Sequence, residues 1–212
     1  MMYCRVLQLR RLTDAVAVVR FERLGLAFEP GQYIRVSAAG SGEFRDCSIY
    51  SGISSDYLEL LVRRVENGLV SPQLCDLSPG DPVVIDGPYG HFTLAGEIRS
   101  GPLLFVATGT GIAPFHCFVE SYQDLDCQLF HGTGICAEAY ESAVFGDCYT
   151  HCVSRGPGGH FHGRVTDYLR TQDISAETHA FLCGNCDMIY TAFDLLQARG
   201  LSDTQIHTEI YF

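Results

Sequence analysis

The chain has 212 residues, 47% of them hydrophobic, which is enough to bury a sizeable core in one large or two small domains. All 14 basic residues are arginine, and 25 residues are acidic. The formal net charge of −11 therefore disfavours nucleic acid or an anionic membrane as a broad partner. No apolar run reaches the ~20 residues of a membrane helix, and the first residues lack a signal peptide's apolar core. A cytoplasmic protein is expected, with most of its ten cysteines buried as free thiols.

Residues 1–99 alternate short β-rich runs with turn signals. Examples of the predicted strands are residues 15–19, 33–36, 58–62 and 82–85, and turns are predicted at 29–31, 78–81 and 87–90. Strands at this close spacing indicate an antiparallel β-barrel domain over residues 1–99.

From residue 100 onward the pattern changes to strand followed by helix. Residues 103–107 form a continuous apolar run, as expected for a strand covered on both faces. Further strands are predicted at 127–130, 149–153, 180–183 and 205–208, with helices between them, including one over 187–198. This alternation predicts a second domain over residues 100–212, an α/β domain with a parallel sheet wrapped by helices.

A glycine-rich segment follows the first strand of the second domain. It contains Thr108, Gly109, Thr110 and Gly111, and Pro114 can begin a helix. Small residues let a phosphate approach the backbone, and a helix N-terminus offers unpaired N–H groups. Because parallel sheets bind ligands at the carboxyl ends of their strands, phosphate binding is favoured over an ordinary glycine turn.

A Cys-x-x-Cys segment, Cys183-Gly184-Asn185-Cys186, ends a later strand. Three interpretations fit it: a redox dithiol, half of a zinc site, or a glycine turn with incidental cysteines. A zinc site needs about four ligands and no second such segment exists, so no metal is predicted. The glycine turn is favoured, with Cys183 lining a pocket at the sheet edge that carries Gly109.

The barrel domain has two segments of its own, Arg45-Asp46-Cys47-Ser48 and Gly68-Leu69-Val70-Ser71. An arginine and hydroxyl groups at strand ends can hold a pyrophosphate. Without other information, an ordinary strand end exposed to solvent is the favoured interpretation of these residues.

In chain order, these segments match motifs of the ferredoxin–NADP reductase family, which the chain resembles over nearly its full length. The family's barrel carries Arg-x-Tyr-Ser, a Gly-x-x-Ser helix start and Gly-Pro-x-Gly, matched at 45–48, 68–71 and 87–90. Its nucleotide domain carries Gly-Thr-Gly-x-x-Pro, Ser-Arg and Cys-Gly, matched at 109–114, 154–155 and 183–184. The last four residues, 209–212, resemble the Glu-x-aromatic ending of many members. Each motif is weak alone, but six in order are specific.

The resemblance implies FAD on the barrel domain and NADP(H) on the second domain. It implies that Arg45 binds the flavin pyrophosphate, that the Ser48 hydroxyl lies close to flavin N5, and that Cys183 and Glu209 lie near the nicotinamide. A terminal aromatic residue, displaced by the nicotinamide, is implied as well. The predicted catalytic residues are Ser48, Cys183, Glu209, Tyr211 and Phe212. The predicted cofactor-binding residues are Arg45, Cys47, Ser48, Ile49, Leu61, Val62, Arg63, Gly68, Leu69, Val70, Ser71, Thr108, Gly109, Thr110, Gly111, Pro114, Ser154, Arg155, Arg164, Cys183, Gly184 and Asn185.

The chain departs from the family at Cys47, which stands where the family has a tyrosine that stacks on one flavin face. Strand alternation places Tyr50 on the same side as Ser48. Nothing in the sequence shows that Tyr50 replaces the lost stacking area.

The coenzyme is predicted to be NADPH rather than NADH. Ser154 and Arg155 follow the strand at 149–153, and Arg164 comes soon after. Two arginines and a hydroxyl suit a 2′-phosphate. No carboxylate of the kind that accepts from a ribose 2′-hydroxyl lies between Ser154 and Arg164.

The resemblance implies a flavoenzyme that transfers a hydride between NADP(H) and FAD, and single electrons to or from a ferredoxin- or flavodoxin-type carrier. Arg10, Arg11 and Arg64 are candidate carrier contacts. One alternative is an NADH-dependent reductase component of an oxygenase system, whose iron–sulfur cluster would come from another protein because no cluster signature is present. An alternative of another class is a non-catalytic flavin-binding regulatory subunit, which the intact segment 109–114 disfavours. The oligomeric state is not predicted.

Overall fold

The computed structural model describes residues 1–211, and the chain divides into two units. The barrel unit is Met1–Thr93 with Ala113–Ser121, and the parallel-sheet unit is Leu94–Ile112 with the described chain from Tyr122 onward. The first unit contains a six-stranded antiparallel sheet and the second a six-stranded parallel sheet. The predicted fold class is therefore confirmed.

The barrel unit has the strand order β4-β3-β6-β1-β2-β5, and a bridge between Ile49 and Leu60 connects the two ends of this series. Alternation fills its interior: on β3, Ile34 and Val36 are buried while Arg35 between them is exposed. Its elements are β1 (Met2–Arg11), β2 (Val16–Glu22), β3 (Tyr33–Ala38), β4 (Arg45–Ser48), β5 (Tyr57–Arg63), β6 (Pro82–Tyr89), α1 (Ser71–Cys75) and α3 (Ala113–Ser121).

The parallel-sheet unit has the strand order β10-β9-β8-β7-β11-β12. Residues 103–107 of the central strand β7 are all buried, which explains their continuous apolar run. Its elements are α2 (Gly96–Arg99), β7 (Leu103–Thr108), β8 (Cys127–Thr133), β9 (Tyr149–Val153), β10 (Phe161–His162), α4 (Val165–Thr171), β11 (His179–Asn185), α5 (Cys186–Gln197) and β12 (Ile206–Tyr211). Within residues 1–211, no helix is both long and apolar enough to cross a membrane.

The barrel unit differs from the sequence-based expectations in two places. Strand β1 is not among the strands named from the sequence, because only Cys4 and Val6 of its ten residues are buried and it has almost no apolar alternation. Residues 87–89, predicted as part of a turn, belong to β6, because pairing of Tyr89 with Tyr33 continues the strand through its glycine and proline.

The connection between β8 and β9 also differs from the prediction, which placed a helix there. It contains two short 3₁₀ segments, Cys136–Glu138 and Ser142–Cys148. Tyr140, Glu141 and Gly146 have positive φ values of 27°, 51° and 53°, and such a backbone cannot continue a right-handed α-helix.

Candidate functional site

In the barrel unit, the predicted flavin residues lie on two strands that are brought together at one end. Ser48 pairs with Tyr33 across β3 and β4, and the Ile49 N–H donates to the carbonyl of Gln32 at 3.0 Å. The Ile49–Leu60 bridge then places β4 beside β5. Arg45 is exposed at the start of β4, whereas Ser48 is only 2% exposed at its end.

The turn that leads from β5 into α1 is organised by hydrogen bonds. The Val65 N–H donates to the Ser71 hydroxyl at 3.1 Å, and the Gly68 N–H donates to the Val65 carbonyl at 2.9 Å. Helix α1 then begins at Ser71, in agreement with the helix start predicted over 68–71. Leu61, Val62 and Val70 are buried and Arg63 and Leu69 are exposed.

Cys47 is half-buried and packs against the barrel core. Burial raises the pKa of its thiol to about 12, against the opposing effect of Arg45, so the thiol is neutral. Tyr50 is fully buried, and its ring stacks on the imidazole of His116 with 3.7 Å between ring centroids. One face of the Tyr50 ring is thus covered by His116, and the residue has no exposed surface on which a flavin could stack.

In the parallel-sheet unit, the glycine-rich loop follows β7 and lies beside the end of β11. The Asn185 N–H donates to the Thr108 hydroxyl at 2.8 Å. A Cβ on Gly111 would lie 2.7 Å from the Cys183 carbonyl carbon, and one on Gly184 would lie 2.8 Å from the Thr108 carbonyl oxygen. Larger residues at these two glycines would separate the strand ends. The observed adjacency of the loop and Cys183 agrees with the shared sheet edge predicted for them.

Strand pairing brings the other predicted catalytic residues of this unit together. Cys183 pairs with Glu209 across β11 and β12, and Asn185 pairs with Tyr211. Cys183 is fully buried, and burial followed by the charge of Glu209 raises its pKa well above the usual range, opposed by a hydrogen bond from Tyr211. Cys183 is therefore a neutral thiol. Phe212 lies outside the described residues.

The second half of the Cys-x-x-Cys segment serves helix α5. The Asn185 side chain accepts hydrogen bonds from Asp187 N–H at 3.0 Å and Met188 N–H at 3.4 Å, which makes it the N-cap. Cys186 is the first helical residue and a free thiol, as is Cys183. Within residues 1–211, no group of three His, Cys, Asp or Glu side chains could hold a metal ion.

Ser154 and Arg155 lie just past β9, both exposed. The Ser154 hydroxyl donates to the Thr133 carbonyl at 3.0 Å. The Arg155 guanidinium lies over Gly134, where a Cβ would be 3.1 Å from its central carbon. Arg164 is exposed immediately before α4.

A carboxylate that the sequence analysis did not consider lies close to this segment. Glu138 is 6% exposed and accepts from the Gly134 N–H at 3.1 Å. It precedes Ser154 by 16 positions and therefore lies outside the segment from Ser154 to Arg164. The glycine-rich stretch before His162 is also more constrained than its composition indicates. The His160 N–H donates to the His151 carbonyl at 2.8 Å, and the His160 Nδ1 accepts from the His151 N–H at 2.9 Å.

His131, on β8, is a further residue near the glycine-rich loop after β7 that was not predicted from the sequence. Its imidazole is completely buried, with Nε2 2.9 Å from the Gly109 carbonyl oxygen and Nδ1 2.8 Å from the Tyr149 hydroxyl. Burial lowers its pKa to about 3, with a smaller opposing effect from the hydrogen bond to Gly109. The only sequence signal is a histidine in an otherwise apolar strand, which is more often a core residue than a site residue.

The low pKa of His131 predicts a pH-dependent stability. Its pKa in the unfolded chain is about 6.5, so between about pH 6.5 and pH 3 the unfolded state binds the proton and the folded state does not. The free energy of unfolding should fall as the pH falls through this window, by up to about 1.4 kcal/mol per pH unit from this residue, and should be unaffected by it above pH 7. Urea unfolding at pH 7, 6 and 5 measures the slope. His131→Gln, which does not titrate, should have the shallower slope, and equal slopes in the two proteins would contradict the prediction.

Comparison with known proteins finds a domain family that matches the barrel unit. A model of the oxidoreductase FAD-binding domain matches residues 4–94. The toluate 1,2-dioxygenase electron transfer component of Pseudomonas putida is 29% identical over 219 residues, which cover 96% of this chain and 65% of the relative. The chain spans between 61% and 65% of the length of such curated relatives, which also include an aromatic O-demethylase reductase subunit and a propane 2-monooxygenase reductase component.

Solved structures match both units. A cytochrome P450 reductase from Amycolatopsis is similar with a TM-score of 0.89 and 27% identity, covering 98% of this chain and 68% of the other. A ferredoxin NADP+ reductase from Neisseria gonorrhoeae, solved with bound FAD and NADP, has a TM-score of 0.89 and 22% identity, covering 100% of this chain and 98% of the other. The second likeness establishes a shared fold.

Proposed function

We propose, from its likeness to FAD-dependent oxidoreductases of the ferredoxin–NADP reductase family, that this chain transfers a hydride between NADP(H) and FAD and passes single electrons to or from a protein carrier. The observation that carries the proposal is the clustering of a phosphate-type loop, Gly109–Ile112, with Cys183 and Glu209 at the carboxyl edge of one parallel sheet. When bound, FAD exchanges a hydride with the nicotinamide and electrons singly with a carrier.

The barrel residues fit a flavin dinucleotide. Arg45 is an exposed cation at the start of β4, suited to a pyrophosphate, and the ends of β4 and β5 offer backbone groups rather than bulky side chains. Ser48 supplies a hydroxyl at the same strand end. The loss of the stacking tyrosine at Cys47 reduces the contact area on one side of the flavin, so we expect a flavin affinity that depends more strongly on Arg45.

The parallel-sheet residues fit a nicotinamide dinucleotide that carries a 2′-phosphate. Ser154 and Arg155 are exposed at the end of β9, and Arg164 is exposed before α4. Arginine holds a dianionic phosphate through paired charge-assisted hydrogen bonds. The buried Glu138 already accepts a hydrogen bond from Gly134. We propose that it supports the loop under Arg155 rather than binding a ribose hydroxyl.

The electron partner is proposed to be a ferredoxin- or flavodoxin-type carrier. The three arginines predicted to contact the carrier form ion pairs with carboxylates of the barrel unit itself. Arg10 pairs with Glu59, and Arg11 and Arg64 pair with Asp76. Their charges are partly neutralised, so they offer an acidic carrier less attraction than the sequence indicates.

A second candidate is an NADH-dependent reductase component of an oxygenase system. Three curated relatives favour it, since their names describe electron transfer or reductase components of a dioxygenase, an O-demethylase and a monooxygenase. Both candidates share the flavin and hydride chemistry and differ in coenzyme and carrier. A cytoplasmic location is proposed with either.

A dye-reduction assay separates these candidates from a non-catalytic flavin-binding subunit. The protein loaded with FAD is mixed with ferricyanide, a one-electron acceptor, and either NADPH or NADH. We expect NADPH-dependent acceptor reduction at many turnovers per flavin. Faster turnover with NADH would favour the oxygenase-reductase candidate, and no turnover with either coenzyme would contradict both.

Removing Tyr211 and Phe212 is expected to tighten NADP+ binding and slow turnover. In the family, a docked terminal aromatic occupies the place of the nicotinamide and assists its departure, so its loss favours the bound coenzyme. Equilibrium titration with NADP+ and steady-state turnover measure the two effects. Tyr190→Ser, which removes an exposed tyrosine of α5, is the control. Unchanged affinity and turnover after the truncation would indicate a terminus without a role.

A further inference from the structure

The hydrogen bonds of His131 fix its tautomer. The Gly109 carbonyl oxygen can only accept, so Nε2, 2.9 Å away, carries the proton and donates. In the neutral imidazole Nδ1 then has a lone pair, which accepts from the Tyr149 hydroxyl at 2.8 Å. The Tyr149 hydroxyl lies farther, 3.4 Å, from its alternative acceptor, the Ala139 carbonyl. The result is a directed series of two hydrogen bonds, from the Tyr149 hydroxyl to His131 and from His131 to the Gly109 carbonyl.

The surroundings keep these two hydrogen bonds in one protonation state and one geometry. Burial raises the pKa of Tyr149 and lowers that of His131, so neither group ionises near neutral pH. Aromatic rings surround the imidazole: the centroids of Tyr140, Tyr149 and His151 lie within 6 Å of its own. His151 is itself held by Thr133, with 2.7 Å between Nε2 and Oγ1. These hydrogen bonds therefore hold the groups that they join in place and do not move a proton.

The final acceptor of these hydrogen bonds is the carbonyl of Gly109, which begins the short 3₁₀ segment Gly109–Ile112. Gly109 has φ of +54°, and because glycine populates positive and negative φ about equally, the residue itself does not fix the orientation of the peptide that follows it. In a planar trans peptide, the carbonyl oxygen and the following N–H point in opposite directions. Because the Gly109 carbonyl points to the buried His131, the Thr110 N–H points to the opposite side. Gly109 and Thr110 are both partly exposed.

We propose that His131, oriented by Tyr149, is a positioning residue that holds the Gly109–Thr110 peptide with its N–H towards the pyrophosphate of the bound dinucleotide. This inference rests on the proposed function, because it takes the loop as the dinucleotide site. Without His131, rotation of the peptide would present a carbonyl oxygen to an anionic phosphate and would remove one N–H donor.

The test compares a ligand that has a pyrophosphate with one that lacks it. NADP+ contains the pyrophosphate and the 2′-phosphate, whereas 2′-AMP contains only the 2′-phosphate. His131→Phe, which removes both hydrogen bonds, should weaken NADP+ binding about tenfold and leave 2′-AMP binding unchanged. His131→Gln, which keeps an N–H donor of similar reach, should restore most of the NADP+ affinity.

A second variant keeps the test decisive if His131→Phe does not fold. Tyr149→Phe preserves the ring and removes only the hydroxyl that orients His131, so it should weaken NADP+ binding severalfold and again spare 2′-AMP. Equal weakening of both ligands would indicate general loosening of the unit and overturn the proposal, as would unchanged NADP+ affinity in His131→Phe. Wild-type protein that binds neither ligand would instead contradict the proposed function.

Discussion

Replacing Arg45 with alanine is expected to weaken FAD binding by roughly 10- to 150-fold, the equivalent of about 1.5–3 kcal/mol for a lost charge-assisted phosphate contact. Arg45 is exposed at the start of the strand that ends at Ser48, where the family's flavin motif is matched. The missing tyrosine at Cys47 leaves fewer other contacts to compensate. Fluorescence titration of the apoprotein with FAD measures the dissociation constant.

Arg35→Ala is the matched control for this prediction. Arg35 is an exposed arginine on the neighbouring strand β3, with its Nε 3.8 Å from an Asp46 carboxylate oxygen, and it matches no family motif. Its replacement should change FAD affinity less than twofold, since an exposed ion pair contributes about 0–1 kcal/mol to stability and none directly to the flavin. If the two substitutions weakened FAD binding equally, Arg45 would contribute only a general positive charge, and its predicted contact with the pyrophosphate would be contradicted.

Arg155→Ala is expected to lower kcat/KM for NADPH by about 10- to 100-fold and to leave kcat/KM for NADH nearly unchanged. The 2′-phosphate carries up to two negative charges and the 2′-hydroxyl of NADH carries none, so only NADPH loses an ionic contact. The exposed position of Arg155 over Gly134 leaves its guanidinium accessible to a ligand. Wild type should therefore prefer NADPH, and the variant should show a much smaller preference.

Arg170→Ala controls for the loss of a positive charge in the same unit. Arg170 is on α4, where its guanidinium pairs with the Asp167 carboxylate at 2.6 Å. It should leave the ratio of the two kcat/KM values unchanged. A wild-type ratio that favours NADH, or an NADPH preference that persists in Arg155→Ala, would contradict the assignment of Arg155 to the 2′-phosphate.

The sequence predicted the structure best where a buried strand and the ligand-binding loop that follows it are adjacent in the chain. The run at 103–107 predicts β7 because a central parallel strand is apolar on both faces. The glycine-rich loop after it, and Cys183 at the end of β11, follow from the rule that ligand sites form at the carboxyl edge of such a sheet. Strand β1 was not predictable in this way, because backbone pairing with β2 and β6 defines it more than side-chain burial does.

Long-range contacts explain what the sequence left out of the candidate site. His131 reaches the carbonyl of Gly109, 22 positions earlier, only because β8 lies beside β7. Glu138 reaches the loop beneath Arg155 because its connection forms 3₁₀ turns instead of the predicted helix. Neither contact has a local sequence signature, because strand register and backbone conformation decide which polar side chains meet.

We propose above all that this chain passes electrons from a nicotinamide coenzyme to a bound flavin. Anaerobic titration of the FAD-loaded protein with NADPH tests it most directly, with the visible absorbance band of oxidised flavin as the readout. About one equivalent of NADPH per flavin should bleach this band, and His131→Phe should require higher NADPH concentrations for the same bleaching. A band that persists with excess NADPH and with excess NADH would contradict the claim.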